Sequence, residues 1–158
     1  MGHAESLTGV PISYDAFRTA LPAAHTALLT LSKAITDTGF DQRLTEIVKI
    51  RVSQLNGCTF CVAHHLDAAR RLGIADATLD LIAVWHDSPA FSARERAALA
   101  WAERLTAMAS PEPSNRTEPP TALFGQDEIM RLAVVIATLN AWNRIAGGLH
   151  FAPPARTA

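Results

Sequence analysis

The chain of 158 residues has only two cysteines, one tyrosine and a formal net charge of -1. Two cysteines are too few for the disulfide scaffold of a secreted domain, and a charge this small gives no basic surface for nucleic acid. The sequence contains no run of 18 uninterrupted apolar residues, so it predicts no membrane helix. The first thirty residues lack the basic start and apolar run of a secretory signal. These absences predict a soluble cytoplasmic protein with no nucleic-acid or membrane partner.

Hydrophobic residues make up 49% of the chain against 18% charged residues, and this composition excludes disorder. A chain of this length is typical of one domain, which we place over residues 1–158. Apolar residues recur at spacings of three and four, and Ala and Leu outnumber the β-branched residues that strands favour. The sequence therefore predicts an all-α, single helical domain of about six to seven helices.

The helices are bounded by recognisable start and stop signals. Pro22 is expected to start or kink a helix, Asp41 is a candidate N-cap, and Ser92 opens a capping-box pattern. The predicted helices cover 14–21, 23–35, 41–56, 58–73, 76–85, 92–108 and 126–145. Those over 41–73 form an αα-hairpin that turns at Gly57. The last helix is apolar nearly all round and is predicted to be the central buried element. A proline-rich connector over about 109–125 and a frayed tail at 148–158 complete the expected organisation.

The stretch "NGCTFCVAHH" at 56–65 contains both cysteines. In a helix that begins near Cys58, Cys61 lies at i+3 and His65 at i+7, so the three share one stripe, while His64 points elsewhere. Positions i and i+3 lie roughly 5–6 Å apart, which a disulfide tolerates. A helix N-terminus also stabilises a thiolate, and His65 is placed to take or share the proton of Cys61.

Glu46, on the preceding helix, is a further candidate. It lies away from the apolar stripe of its helix. In a hairpin that turns at Gly57, Glu46 lies roughly 16 Å back along one helix and His65 roughly 12 Å along the other, so the two are at similar height. A carboxylate beside an imidazole fixes its tautomer and raises its basicity. The spacing is therefore compatible with a Glu46–His65–Cys61 proton relay.

Other interpretations of these residues remain open. The cysteines can be buried apolar thiols, since free cysteine is among the most buried residue types. A zinc site is a second alternative, with Cys58, Cys61 and either His65 or His64 as ligands, but it needs His86 or His25 as an additional ligand.

Charged residues elsewhere also have structural interpretations. Glu46 can be a solvated charge or the ion-pair partner of Lys49 or Arg43. Arg144, in an otherwise apolar helix, is a candidate partner for Glu95 or Glu103.

The pattern Glu46, eleven residues, Cys58-x-x-Cys61, three residues, His65 resembles the signature of the AhpD-like alkylhydroperoxidases of the carboxymuconolactone decarboxylase superfamily. The segments "RERAALAWAERLT" at 94–106 and "ATLNAWNRIA" at 137–146 extend the resemblance over about residues 35–147. The best-studied form of the motif has a histidine between the cysteines, where this chain has Thr59 and Phe60. The electron donor and the preferred peroxide therefore do not follow from the resemblance.

The resemblance implies a helical homotrimer or homohexamer that reduces peroxides and is itself re-reduced by an external dithiol. In it, Cys61 resembles the peroxide-attacking cysteine, Cys58 the partner that closes the disulfide, and Glu46 and His65 the proton relay. No metal or organic cofactor is expected. Two alternative functions remain: a carboxymuconolactone-type decarboxylase, although true decarboxylases of the superfamily generally lack the cysteine pair, and a non-catalytic redox-sensing protein.

Overall fold

The structure is a computed structural model that describes residues 11–108 and 118–154. These residues form eight helical segments and no strand. Seven are α-helices: α1 (Tyr14–Ala20), α2 (Pro22–Thr36), α3 (Gln42–Leu55), α4 (Thr59–Arg71), α5 (Asp76–Leu79), α6 (Ala93–Thr106) and α7 (Gln126–Gly148). A 3₁₀-helix, Ile82–Asp87, lies between α5 and α6. The prediction of an all-α fold is confirmed.

The helix starts follow the predicted caps. Pro22 is the first residue of α2, where its missing N–H costs nothing. The Asp41 carboxylate accepts a hydrogen bond from the Leu44 N–H at 3.0 Å, at the start of α3. At α6, the Ser92 hydroxyl accepts from the Glu95 N–H and the Glu95 carboxylate accepts from the Ser92 N–H, which completes the capping box.

The predicted helix over 76–85 is wrong. The segment divides into α5 and the 3₁₀-helix, and Val84 has non-helical backbone angles. In a 3₁₀-helix, residues three apart lie on the same side, so Ile82 and Trp85 both enter the core.

Helix α3 lies at the centre of the fold, in contact with α4, α6, α7 and the 3₁₀-helix. Eight of its fourteen residues are buried, among them the polar residues Thr45, Glu46 and Ser53. Helix α7, which we predicted to be the central buried element, also contacts four helices, α2, α3, α4 and α6, so it shares the centre with α3. Its burial is not complete all round, because Ala137 is exposed. Hydrophobicity alone did not predict the central position of α3, because its buried polar residues contact other side chains and backbone groups rather than water.

The predicted connector and tail are described only in part. Residues 109–117 and 155–158 lie outside the described residues, and 121–123 form a short turn before α7. Helix α7 extends to Gly148 rather than Ile145, and Phe151 is buried, so the chain remains packed beyond the point where we predicted fraying. Among the described residues, no helix is both long enough and apolar enough to cross a membrane.

Candidate functional site

The α3–α4 hairpin places the two cysteines at its turn. Gly57 has a φ of 65°, a left-handed conformation that favours glycine and lets the chain reverse between the helices. Cys58 is the N-cap of α4 and Cys61 lies in its first turn. The two form a disulfide with their Cα atoms 5.3 Å apart, and the Cys61 N–H donates to Cys58 Sγ at 3.2 Å. Both cysteines are buried.

Glu46 connects the two helices of the hairpin through its carboxylate. Its Oε2 lies 2.7 Å from His65 Nδ1, and its Oε1 accepts a hydrogen bond from Lys49 Nζ at 2.8 Å. All three side chains are largely shielded from water. The structure thus brings Glu46 and His65 together, as the spacing predicted, and Lys49 joins them. Arg43 instead pairs with Glu95.

The charge of Glu46 determines which proton His65 holds. Burial on its own would raise the pKa of Glu46, but the hydrogen bonds and positive charges of His65 and Lys49 outweigh it and lower the pKa to about 2. At neutral pH the carboxylate is ionised and can only accept, so His65 Nδ1 carries the hydrogen. In a neutral imidazole, Nε2 is then the free base.

A cavity of about 620 Å³ opens beside this group. Most of its walls come from α2, α3, α4 and α7, and they include Cys61, His65, Glu46 and Lys49. The remaining lining is mainly aliphatic and aromatic, with Leu29, Ile35, Phe40, Leu139 and Trp142 among its members. A sulfur, an imidazole and a carboxylate therefore face one space that is large enough for an organic molecule.

His64, which we predicted to lie off the stripe of Cys58, Cys61 and His65, is exposed but also lines this cavity. Its ring lies parallel to that of Phe60, with the ring centres 6.3 Å apart, and meets the His65 ring edge-on at 5.0 Å. Burial, together with the charge of the neighbouring His65, lowers the pKa of His64. The stacking on Phe60, one turn earlier in α4, holds the His64 ring at the cavity wall.

The sequence did not predict a contact between a tyrosine and a histidine beside the cavity. The hydroxyl of Tyr14, which lines the cavity, lies 2.6 Å from Nε2 of the buried His25. Tyr14 also packs against Phe60, with the ring centres 5.5 Å apart. No local spacing signals this contact, because it depends on how α1 folds back against α2.

Polar side chains of α7 hold the hairpin turn in place. Asn56 donates from Nδ2 to Oδ1 of Asn143 at 2.9 Å and to Oδ1 of Asn140 at 3.0 Å. Asn143 in turn donates to Ser53 Oγ at 3.2 Å. Because Asn56 comes two residues before Cys58, this network ties the start of α4 to α7.

The histidines that a zinc site would recruit are engaged elsewhere. His25 contacts Tyr14, and His86 stacks on Trp85 with the ring centres 3.7 Å apart. Within 11–108 and 118–154, no group of three or more His, Cys, Asp and Glu side chains is arranged to hold a metal ion.

Comparison with known proteins identifies the family. The profile of the Carboxymuconolactone decarboxylase family matches residues 22–104. The uncharacterized protein YdfG of Bacillus subtilis is 28% identical over 126 residues, which are 79% of this chain and 86% of that protein. An uncharacterized peroxidase-related protein from Silicibacter sp. TM1040 is 25% identical, with a TM-score of 0.67 over 82% of this chain and 70% of that one.

A further crystal structure resembles this chain over nearly its whole length. It is of a protein of unknown function from Agrobacterium tumefaciens, described as a candidate antioxidant defence protein AhpD. The two are 32% identical, with a TM-score of 0.81 over 89% of this chain and 97% of that one. On the family profile and this match, the chain belongs to the carboxymuconolactone decarboxylase family, as an AhpD-like member.

Proposed function

We propose that the protein is a thiol-dependent peroxidase of the alkyl hydroperoxide reductase type. The observation that carries this proposal is the Glu46–His65 hydrogen bond at 2.7 Å, in a cavity that Cys61 also lines. A base that is held and oriented beside a redox-active sulfur is what the first step of peroxide reduction needs. The apolar walls of the cavity suit an organic hydroperoxide.

In the proposed mechanism, His65 Nε2 takes the proton of the Cys61 thiol. The thiolate attacks the nearer oxygen of the peroxide, the O–O bond breaks, and the leaving alkoxide receives a proton to become an alcohol. Cys61 is then a sulfenic acid. The Cys58 thiol displaces water from it and closes the disulfide, and an external dithiol returns both cysteines to the reduced form.

The assignment of Cys61 as the attacking residue rests on its surroundings. Cys61 shares the large cavity with His65, whereas Cys58 does not line it. The competing assignment gives the attack to Cys58, because its sulfur accepts the Cys61 N–H at the start of α4, where the helix dipole favours a thiolate. Exposure does not separate the two, since both are buried.

Descriptions of the relatives support the same activity. The Silicibacter protein is called peroxidase-related, and the Agrobacterium protein is linked with antioxidant defence. Assembly as a homotrimer or homohexamer and a cytoplasmic location remain predictions.

Serine variants of the two cysteines test the proposal and its order of events. Cys61→Ser is expected to lose the first reaction with peroxide, because it lacks the attacking sulfur. Cys58→Ser is expected to react once and stop as a sulfenic acid that dimedone labels. Stopped-flow mixing with hydrogen peroxide and with an alkyl hydroperoxide measures the first step, and mass spectrometry locates the label.

Each other result has a definite meaning. Labelling of Cys61→Ser and not of Cys58→Ser would reverse the order of the cysteines. If the reduced wild-type protein reacts with no peroxide, the proposed peroxidase activity is wrong. If it reacts but no dithiol re-reduces it, the protein is a redox sensor and not a peroxidase.

A further inference from the structure

The disulfide lies between two clefts that each contain one of its cysteines. Cys61 lines the cavity of about 620 Å³ described above. Cys58 lines a second cleft of about 100 Å³, between the start of α4 and the end of α7. Of the described residues that line the two spaces, Phe60 is the only one that belongs to both. The two cysteines thus line different spaces.

The walls of the second cleft are well fixed. His150, on one side, has a φ of 57°, a left-handed conformation that is uncommon for residues other than glycine. The Phe151 N–H donates to the Ala146 carbonyl at 2.9 Å and the His150 N–H to the Gly147 carbonyl at 3.2 Å. These bonds close the end of α7 and hold Phe151 in the same apolar cluster as Cys58.

We propose that this second cleft is the docking site of the reducing dithiol, so that the donor attacks Cys58 while the peroxide reaches Cys61 through the large cavity. The inference rests on the proposed function, because it assigns the second half of the same cycle. The cleft has about one sixth of the volume of the cavity, which suits an unbranched thiol chain. The positive end of the α4 dipole lies beside it and favours an incoming thiolate, and no carboxylate occurs among its described lining residues.

The exchange transfers two electrons and two protons from the donor dithiol to the disulfide. A thiolate of the donor attacks Cys58 Sγ, the S–S bond breaks, and Cys61 leaves as a thiolate that His65 can protonate. The second thiol of the donor then attacks the donor sulfur of the mixed disulfide. Cys58 leaves as a thiolate, which the Cys61 N–H and the α4 N-terminus stabilise, and the donor departs as a cyclic disulfide.

Phe60 forms the wall between the two openings. Its ring packs on Tyr14 on the cavity side and on Phe151 on the cleft side, with ring centres 5.5 Å and 5.4 Å apart. The best-studied form of the AhpD-like motif has a histidine between its cysteines, whereas the two intervening residues of this chain are Thr59 and Phe60. An apolar partition there separates the two substrates without adding a charge to either space.

Two neighbouring glycines of α7 provide a matched test. Gly147 lines the cleft and Gly148 does not. A Cβ added to either residue would meet nothing within 4 Å, neither has a positive φ, and both are exposed, so a leucine side chain starts without a clash at either position. Dithiothreitol is mixed with the oxidised protein, and the free thiols are counted by alkylation after an acid quench.

Gly147→Leu is expected to slow reduction by about tenfold or more, because its side chain obstructs the approach to Cys58, whereas Gly148→Leu reduces like the wild type. Equal rates for the two variants would overturn the proposal. The reaction of the pre-reduced variants with peroxide is measured separately. If the reduction rates of the two variants differ as expected but neither variant reacts with peroxide, the docking site is supported and the proposed function is wrong.

A monothiol identifies the sulfur that is attacked. The oxidised protein is treated with 2-mercaptoethanol, the released thiol is alkylated, and tandem mass spectrometry assigns the adduct. We expect the adduct on Cys58 and the alkyl group on Cys61. An adduct mainly on Cys61 would place the donor in the large cavity and overturn the inference.

Discussion

Two carboxylates, one on α3 and one on α6, have nearly the same kinds of partner and different surroundings. Glu46 pairs with Lys49 of α3 and contacts His65. Glu103, on α6, pairs with Arg51 of α3 at 2.7 Å and has His86 at 3.7 Å. In both places a glutamate lies between a basic residue of α3 and a histidine.

The Glu103 group differs from the Glu46 group in what surrounds it. Its carboxylate also accepts a hydrogen bond from Trp85 Nε1 at 2.8 Å, and its histidine is mostly exposed, with 58% of the side chain accessible. It does not line the large cavity and has no cysteine beside it. A partly buried glutamate with a basic residue and a histidine is therefore not by itself evidence of a functional site. The cavity and the adjacent sulfur distinguish the Glu46 group.

Replacing the two histidines should separate the groups most clearly. His65→Gln is expected to slow the first reaction of the reduced protein with peroxide by at least about 100-fold near neutral pH, because the Cys61 thiol loses its base. The deficit should narrow above about pH 8.5, where an ordinary thiol ionises unaided. Stopped-flow mixing over a range of pH measures both effects.

His86→Gln is the control for this change, since it removes a histidine beside the other glutamate. Its reaction with peroxide should match that of the wild type at every pH. Equal slowing in the two variants would mean that neither histidine acts on Cys61.

The low pKa of Glu46 predicts how stability depends on pH. Its folded value of about 2 lies below the ordinary value of 4.5, so the unfolded chain binds this proton first as the pH falls. The ionised group therefore contributes stability above about pH 4.5, and the contribution is lost as the pH falls towards 2. It amounts to up to about 3 kcal/mol.

Denaturant unfolding of the oxidised wild type and of Glu46→Gln at several pH values measures this contribution. The difference between their unfolding free energies should shrink between about pH 4.5 and 2, where other acidic groups titrate alike in both proteins. A difference that is constant over this range would mean that Glu46 does not stabilise the hairpin through its charge.

The hairpin could be predicted from the sequence because its geometry is local. The helical rise from a turn at Gly57 places Glu46 and His65 at the same height, and the structure has them in contact. Interactions between distant segments could not be predicted. The periodicity of α3 left Glu46 off the apolar stripe, and only the packing of α2 and α7 creates the cavity that it faces.

The partners of the charged residues show the same limit. We predicted that Arg144 pairs with Glu95 or Glu103, and this is wrong: Arg144 donates to the carbonyl and side-chain oxygens of Asn140 on its own helix. The two glutamates instead pair with residues of α3 that lie 52 positions earlier in the chain. These pairs follow from the way α3 and α6 pack, which no spacing within either helix reveals.

The smallest effect is expected at Glu103, where only stability should change. Glu103→Gln leaves the largely buried Arg51 without its anionic partner, although an amide oxygen can still accept from Trp85. We expect a loss of about 1.5 kcal/mol in the free energy of unfolding, the lower end of the range for a hydrogen bond to a charged group, because the amide still accepts one bond. The rate of the peroxide reaction should be unchanged, because this carboxylate lies outside the cavity that contains Cys61. Denaturant unfolding and stopped-flow kinetics on the same preparation measure the two quantities. A Glu103→Gln protein that folds normally but reacts with peroxide as slowly as His65→Gln would show that the Glu103 group also acts in the peroxide reaction, against this prediction.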